Sequence, residues 1–479
     1  MKKGRIIIAV TALCLCLLLC GCSDKPQEPE VQTPAVSVQT PEPTPEEPVE
    51  SVSPTEPPEE IIEEPAQIII ADEAFEISES EISVPASVSG AEELKKALPQ
   101  FAALERVDLR GAALGAEEIS ELMESFPALS FSYSIEIDGI TLDETTESLE
   151  LDSNQAELFY SAKGLLKNVN SIAITDSPAV GPDLELLAAF GQACPWIDFD
   201  YSFTLFGRTV STHDKRIEYV GVPIGEEGVD ELRLALPCLA GCEYFLLDNC
   251  RIGNETLDAL SREFPERNIV WRINFGYFNF LTDVKVIHLT DLVEDENVYQ
   301  IGYCRNLEYL DIGHNSITDI SFISRLENLK LCILSFNKVY DLEPFRNLEK
   351  LEMLELYYCL NLNDISAVES LPNLRLFNIT WTAVSDISVV ANMKQLTRFS
   401  CYHNFAIPDE QKQAVLDALP DCWVTFEDPD FDRKWVGWRF DDVGVKSQWY
   451  DDISKIFYYQ AEPVYFGEVR EGYEDRHFS

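Results

Sequence analysis

Histidine is nearly absent. Five occur in 479 residues. None lies in a His-Glu-x-x-His helix, at metal-ligand spacing from cysteines, or beside a nucleophile, so zinc hydrolysis and triad-type acyl transfer have no foothold. His314 and His403 hold equivalent places in a repeat four turns apart. At about 4.8 Å per stacked strand that is roughly 20 Å, too far to share a metal. A glycine-rich phosphate loop and a nucleophile elbow are also missing, so no cofactor is expected. Basic residues are scarce: 36 Lys and Arg stand against 84 Asp and Glu, for a formal charge of −48. Such a surface repels phosphate backbones and excludes nucleic acid as a partner. Acidic pairs such as Asp441 and Asp442 therefore carry little information. The acidic run Asp428-Pro-Asp-Phe-Asp432 lacks the glycine and distal glutamate of a calcium loop and reads as a solvated turn.

The chain opens MKKGRIIIAVTALCLCLLLCGC, a basic start and an apolar run ending at small residues. This is an export signal, too short to be read as a stable membrane span. Its "LCGC" resembles the bacterial lipoprotein cleavage box, which implies that residues 1–22 are a lipoprotein signal peptide with Cys22 as the lipid-bearing residue. Two acyl chains would suffice for stable anchoring. Residues 23–66 hold eleven of the 26 prolines and twelve acidic residues against one lysine. No core forms from such a composition. This Pro/Glu-rich linker reads as a disordered, charged spacer with a reach on the order of 130 Å if it runs as polyproline II. Nine cysteines follow Cys22, an odd number. Several hold core or turn places in the repeats, so free buried thiols are expected rather than a disulfide framework.

From residue 284 the chain repeats itself. Leu307, Leu310, Ile312, Asn315, Ile317, Ile320 and Ile323 recur 22 residues on as Leu329, Cys332, Leu334, Asn337, Val339, Leu342 and Phe345. The next copies begin at Leu351, which takes one extra residue after Cys359, at Leu374 and at Leu396; Val284, Ile287 and Leu289 form a worn first copy. A constant period of this length marks stacked coils. Leu-x-x-Leu-x-Leu lays a short strand with alternate residues inward. The residue at the Asn315 position must then satisfy backbone groups left unpaired by the turn. These residues, with the Asp-Ile of "TDIS", "NDIS" and "SDIS", resemble internalin-type leucine-rich repeats. The resemblance implies a bacterial surface lipoprotein and a leucine-rich-repeat solenoid with a curved parallel sheet over 284–427. Helix, Pro420 and strand within 408–426 form its C-terminal cap.

Residues 67–283 carry a longer period. Pro127, Pro195 and Pro265 step by 68 and 70 residues, each followed by an apolar strand and a glycine turn. Three stacked α/β modules of about 69 residues are expected, each running helix, strand, helix, β-hairpin. They resemble ribonuclease-inhibitor-type leucine-rich repeats, apart from the hairpin. The fold class is α/β throughout. Residues 428–479, rich in Trp, Tyr and Phe, read as a cap or tail packed on the solenoid.

With Leu307 as position 1, positions 3, 5, 7 and 8 face outward from the strand row. They supply the expected ligand-binding set: Tyr309, Met353, Leu376 and Arg398 at position 3, with Phe336, Tyr357, Tyr358, Trp381, Tyr402 and His403 near the strand ends. A contiguous apolar and aromatic row on an acidic protein marks an interface, and aromatic anchors are frequent hot spots. The competing arrangement is that the aromatic tail folds back over this face. The expected function is a monomeric, lipid-anchored binding scaffold on the extracellular face of the bacterial membrane, taking a protein or glycan partner and having no catalytic residues. The alternative is a glycan-active enzyme with acidic residues near the C-terminal tryptophans.

Overall fold

The computed structural model describes residues 67–427 and 448–459. The signal peptide, the spacer, Cys22, the acidic run at 428–432 and Trp435 and Trp438 lie outside the described residues. Among the described residues, no helix is long and apolar enough to cross a membrane.

Each Leu-x-x-Leu-x-Leu copy gives one three-residue strand. Seven strands pair in chain order, all parallel: Val286–His288, Tyr309–Asp311, Leu331–Ile333, Met353–Glu355, Leu376–Asn378, Arg398–Ser400 and Trp423–Thr425. Register places Tyr309, Leu331, Met353, Leu376 and Arg398 side by side. The extra residue after Cys359 is absorbed beyond the strand, so pairing is unbroken. Position 4 faces inward, where Leu310, Cys332, Leu354, Phe377 and Phe399 are buried. The seventh strand follows the helix Asp409–Ala418, and together they close the end of the row.

The turn residues behave as their chemistry requires. The Asn315 side-chain amide donates to the carbonyls of Leu289 (2.9 Å) and Ile312 (2.8 Å), while its Oδ1 accepts from the N–H groups of Leu292 and Val293. Asn337 and Asn404 repeat this, each donating to one carbonyl of the preceding coil and accepting one of its N–H groups. Cys359 and Thr382 each donate to one carbonyl, of Leu334 and Ile379. Beyond the turn, Asp319, Asp341, Asp364 and Asp386 each accept the N–H two residues on, at 2.8 to 2.9 Å, and so start the short 3-10 turns of the outer side. Those N–H bonds hold the carboxyls of Asp364 and Asp386 below their ordinary range. The Asp of the Asp-Ile motif thus satisfies the first N–H of each turn from one residue outside it.

The longer modules differ from the sequence reading in two ways. Each opens with a strand rather than a helix, giving a three-stranded parallel sheet: Glu81–Ser83, Arg106–Asp108 and Ser130–Ser132 in the first, Ser148–Leu151, Ser171–Ile174 and Asp198–Asp200 in the second, Arg216–Val220, Tyr244–Asp248 and Ile269–Val270 in the third. The apolar run after each proline also divides, with its first part joining the sheet and its second starting a hairpin. The division falls at Tyr133, Tyr201 and Trp271, all buried. A fourth hairpin, Gln67–Ile70 with Glu73–Glu76, precedes the first module. Helix starts are secured locally: Asp152 Oδ1 accepts from the N–H groups of Asn154 and Gln155, and Gln155 Oε1 accepts from the N–H of Asp152. One apolar core runs from Ile68 to Leu419 through modules and coils alike. At the junction, buried Asp258 on the helix Asn254–Glu263 binds Arg262 (3.1 Å), Arg305 (2.7 Å) and Arg325.

The nine described cysteines form no disulfide. Burial pushes the thiols of Cys332 and Cys359 up, the latter to about 12, so they stay protonated and behave as small hydrophobes.

Candidate functional site

Position 8 of every coil lies where the chain leaves the strand and must turn the next side chain inward. One residue in the left-handed region makes that turn. His314, Phe336, Tyr358, Trp381 and His403 all occupy it, with φ of 57°, 59°, 62°, 57° and 60°. Glycine adopts this conformation freely, whereas a side-chain-bearing residue loses about 1–2 kcal/mol there. An N–H bond across to the next coil holds four of the turns, from His314 to Ser335, Phe336 to Tyr357, Tyr358 to Thr380 and Trp381 to Tyr402.

This geometry lines the rings up. His314 stacks on Phe336 at 4.3 Å between centroids, Phe336 on Tyr358 at 4.8 Å, and Trp381 on His403 at 4.2 Å, with interplanar angles of 19°, 28° and 26°; Tyr358 meets Trp381 at 5.9 Å. Tyr357 packs beside Phe336 and Tyr358, and Phe405 closes the end of the row edge-on to Trp381 and His403. The row is open to solvent: Tyr358 is 38% exposed, Leu360 51% and Phe405 84%. Phe336, Tyr357, Trp381 and His403 are half-buried.

The expected ligand-binding residues thus fall into two groups. Phe336, Tyr357, Tyr358, Trp381 and His403 belong to the open aromatic row. Tyr309, Met353, Leu376 and Arg398 do not: all four are buried. The first three pack against the C-terminal helix Gln448–Ser454, and the Arg398 guanidinium lies 4.2 Å from the Trp423 ring centroid. Tyr402 is also buried, beside His403. The physical reason is that outward on a strand means exposed only where nothing lies above the sheet, and period 2 does not report a covering layer. Leu360 and Phe405 were missed because they follow the turn residue, where most copies carry a polar or small side chain. The signal for them was that single position.

Among the described residues no group of three or more His, Cys, Asp or Glu is placed to hold a metal. Trp449, the C-terminal tryptophan within them, is buried beneath the Arg375 guanidinium at 5.2 Å. Near the strand starts, burial alone would raise Glu308, but hydrogen bonds from Lys285 and Lys330 prevail and hold it below its ordinary value. Glu352 lacks such a pair of donors, and burial raises it.

No family model matches the chain. Among solved structures it is similar to an internalin from Listeria monocytogenes, at 14% identity over 74% of this chain and 91% of that one, with a TM-score of 0.27. It is similar to internalin C2 from the same organism at 21% identity over 49% of this chain and 72% of that one, TM-score 0.20, and to a leucine-rich-repeat protein from Leptospira interrogans at 17% identity over 72% and 75%, TM-score 0.27. In the chain's own geometry the 22-residue units stack as parallel strands that turn on inward Asn, Cys and Thr, the arrangement expected from the resemblance of these units to leucine-rich repeats.

Proposed function

We propose that this is a non-catalytic binding scaffold of the cell surface, anchored by lipid on Cys22, whose aromatic row at the strand ends takes a protein partner. One observation carries the reading: a conformation that favours glycine is filled five times running by rings that stack into an exposed stripe. Backbone strain kept at a solvent-facing row points to function. A protein partner is favoured over a glycan by the ring geometry. In the stacked pairs His314–Phe336, Phe336–Tyr358 and Trp381–His403 the rings turn faces to one another, so those faces are closed to a sugar ring. The charge of −48 favours a partner with a basic surface.

Glycine at the rungs separates binding from folding. Tyr358→Gly with Trp381→Gly relieves two strained turns while losing half-exposed ring contacts, so the unfolding free energy should move by no more than about 1 kcal/mol. Retention of a partner by the 67–479 fragment in a pull-down should fall at least tenfold. A partner retained equally by the variant sinks the reading, and one retained only when glycans are left on would move it to the glycan class. The anchor has its own test: Cys22→Ala should move the protein from the membrane fraction to the soluble one, and unchanged partitioning removes lipidation at that residue from the proposal.

A further inference from the structure

The face of the strand row away from the main core is occupied by a segment of this chain. Tyr309, Leu331, Ile333, Met353 and Leu376 close around Trp449, Tyr450, Ile453, Ile456 and Phe457, forming an apolar cluster separate from the main core. Those helical residues fall at i, i+1, i+4, i+7 and i+8, the spacing with which an amphipathic helix seats in a groove. The helix lies across the strands: Trp449 sits by Arg375, at the edge of the fifth strand, and the Phe457 ring lies 5.8 Å from that of His288 in the first.

Two features distinguish this layer from a second permanent core. The main core is complete without it, since Leu310, Cys332, Leu354 and Phe377 are buried on the other side of the sheet. The layer also encloses acidic side chains: Glu355 and Asp452 are both 0% exposed, with Ser335 Oγ donating to Glu355 Oε1 at 2.9 Å. Burying carboxylates weakens an interlayer relative to an apolar one of equal area. We infer that the outward face from Val286–His288 to Leu376–Asn378 is a helix-binding site, and that residues 448–459 are its resident, exchangeable occupant. This face is distinct from the aromatic row, so it stands or falls independently of the function proposed above.

The test keeps the full chain and places a protease recognition sequence within residues 428–447. After cleavage, a fluorescent peptide spanning 446–461 is added in excess, and its co-elution with the body is followed by gel filtration. The cut protein should take up labelled peptide saturably, and the uncut chain at least tenfold less. A peptide carrying Trp449→Ala and Phe457→Ala should compete at least tenfold more weakly, a control that requires no variant of the body to fold. Met353→Lys in the cut body should abolish uptake, with a urea midpoint equal to that of the cut wild-type body freed of its own segment. The inference is overturned if the cut segment stays bound and no label enters over several days, if its departure abolishes the body's cooperative unfolding, or if the uncut chain binds the peptide equally well.

Discussion

Leu356→Ala should lower the unfolding free energy by about 2–5 kcal/mol, and Leu334→Ala by a similar amount. Both side chains are completely buried at the inward end of the strand motif, in the core that runs through every coil. Each truncation removes apolar burial and leaves a space that neighbours on two adjacent coils would have to fill. Those neighbours are held at strand spacing by the parallel ladder, so collapse is limited and the cavity remains. The measurement is the urea midpoint of the whole chain, with far-UV circular dichroism to confirm that the folded baseline is unchanged. A shift corresponding to less than about 0.5 kcal/mol would mean that these leucines do not face the core.

Removing Arg305 and Arg325 together should destabilise the protein by about 3 kcal/mol, more than Asp258→Asn does. The asymmetry follows from burial. The Asp258 side chain is 3% exposed, while those of Arg305 and Arg325 are 41% and 35% exposed. Losing the arginines leaves a buried carboxylate with Arg262 as its remaining charged partner among those bonded to it, which is the expensive way to break such a cluster. Losing the carboxylate leaves guanidiniums that water can reach. Because Asp258 sits on the last module helix while Arg305 and Arg325 belong to the first coils, the double variant should also loosen the junction. Hydrogen exchange at residues 254–263 should rise before that in the central strands. Equal or reversed effects of the two variants would show that the cluster does not act as a buried charge clamp.

The site divides along a physical line between near and far information. The strand motif, the inward turn residues and the 22-residue register depend on contacts within a coil and to the next one, and each coil repeats them. Five copies at one period therefore sufficed to place Leu310, Asn315 and their equivalents. The 69-residue modules were harder because their opening strands, Glu81–Ser83, Ser148–Leu151 and Arg216–Val220, run only three to five residues. An alternation that short has no periodicity of its own. The break at Tyr133, Tyr201 and Trp271 was hidden for a related reason: an uninterrupted apolar run does not say where one sheet ends and a hairpin begins.

The sequence by itself determined that the coils stack, which residues face inward, and that rings recur at one position, because period and pairing are local and repeated. Only the tertiary structure decided which outward residues meet solvent. Tyr309, Met353 and Leu376 were legible as outward-facing, yet they lie beneath Trp449 and Phe457, which are more than 70 residues away in the chain. Phe336, Tyr358 and Trp381 stay open because nothing described in the chain covers the strand ends as the helix covers the strand faces. Exposure depends on what packs from elsewhere in the chain, and no local pattern carries that information.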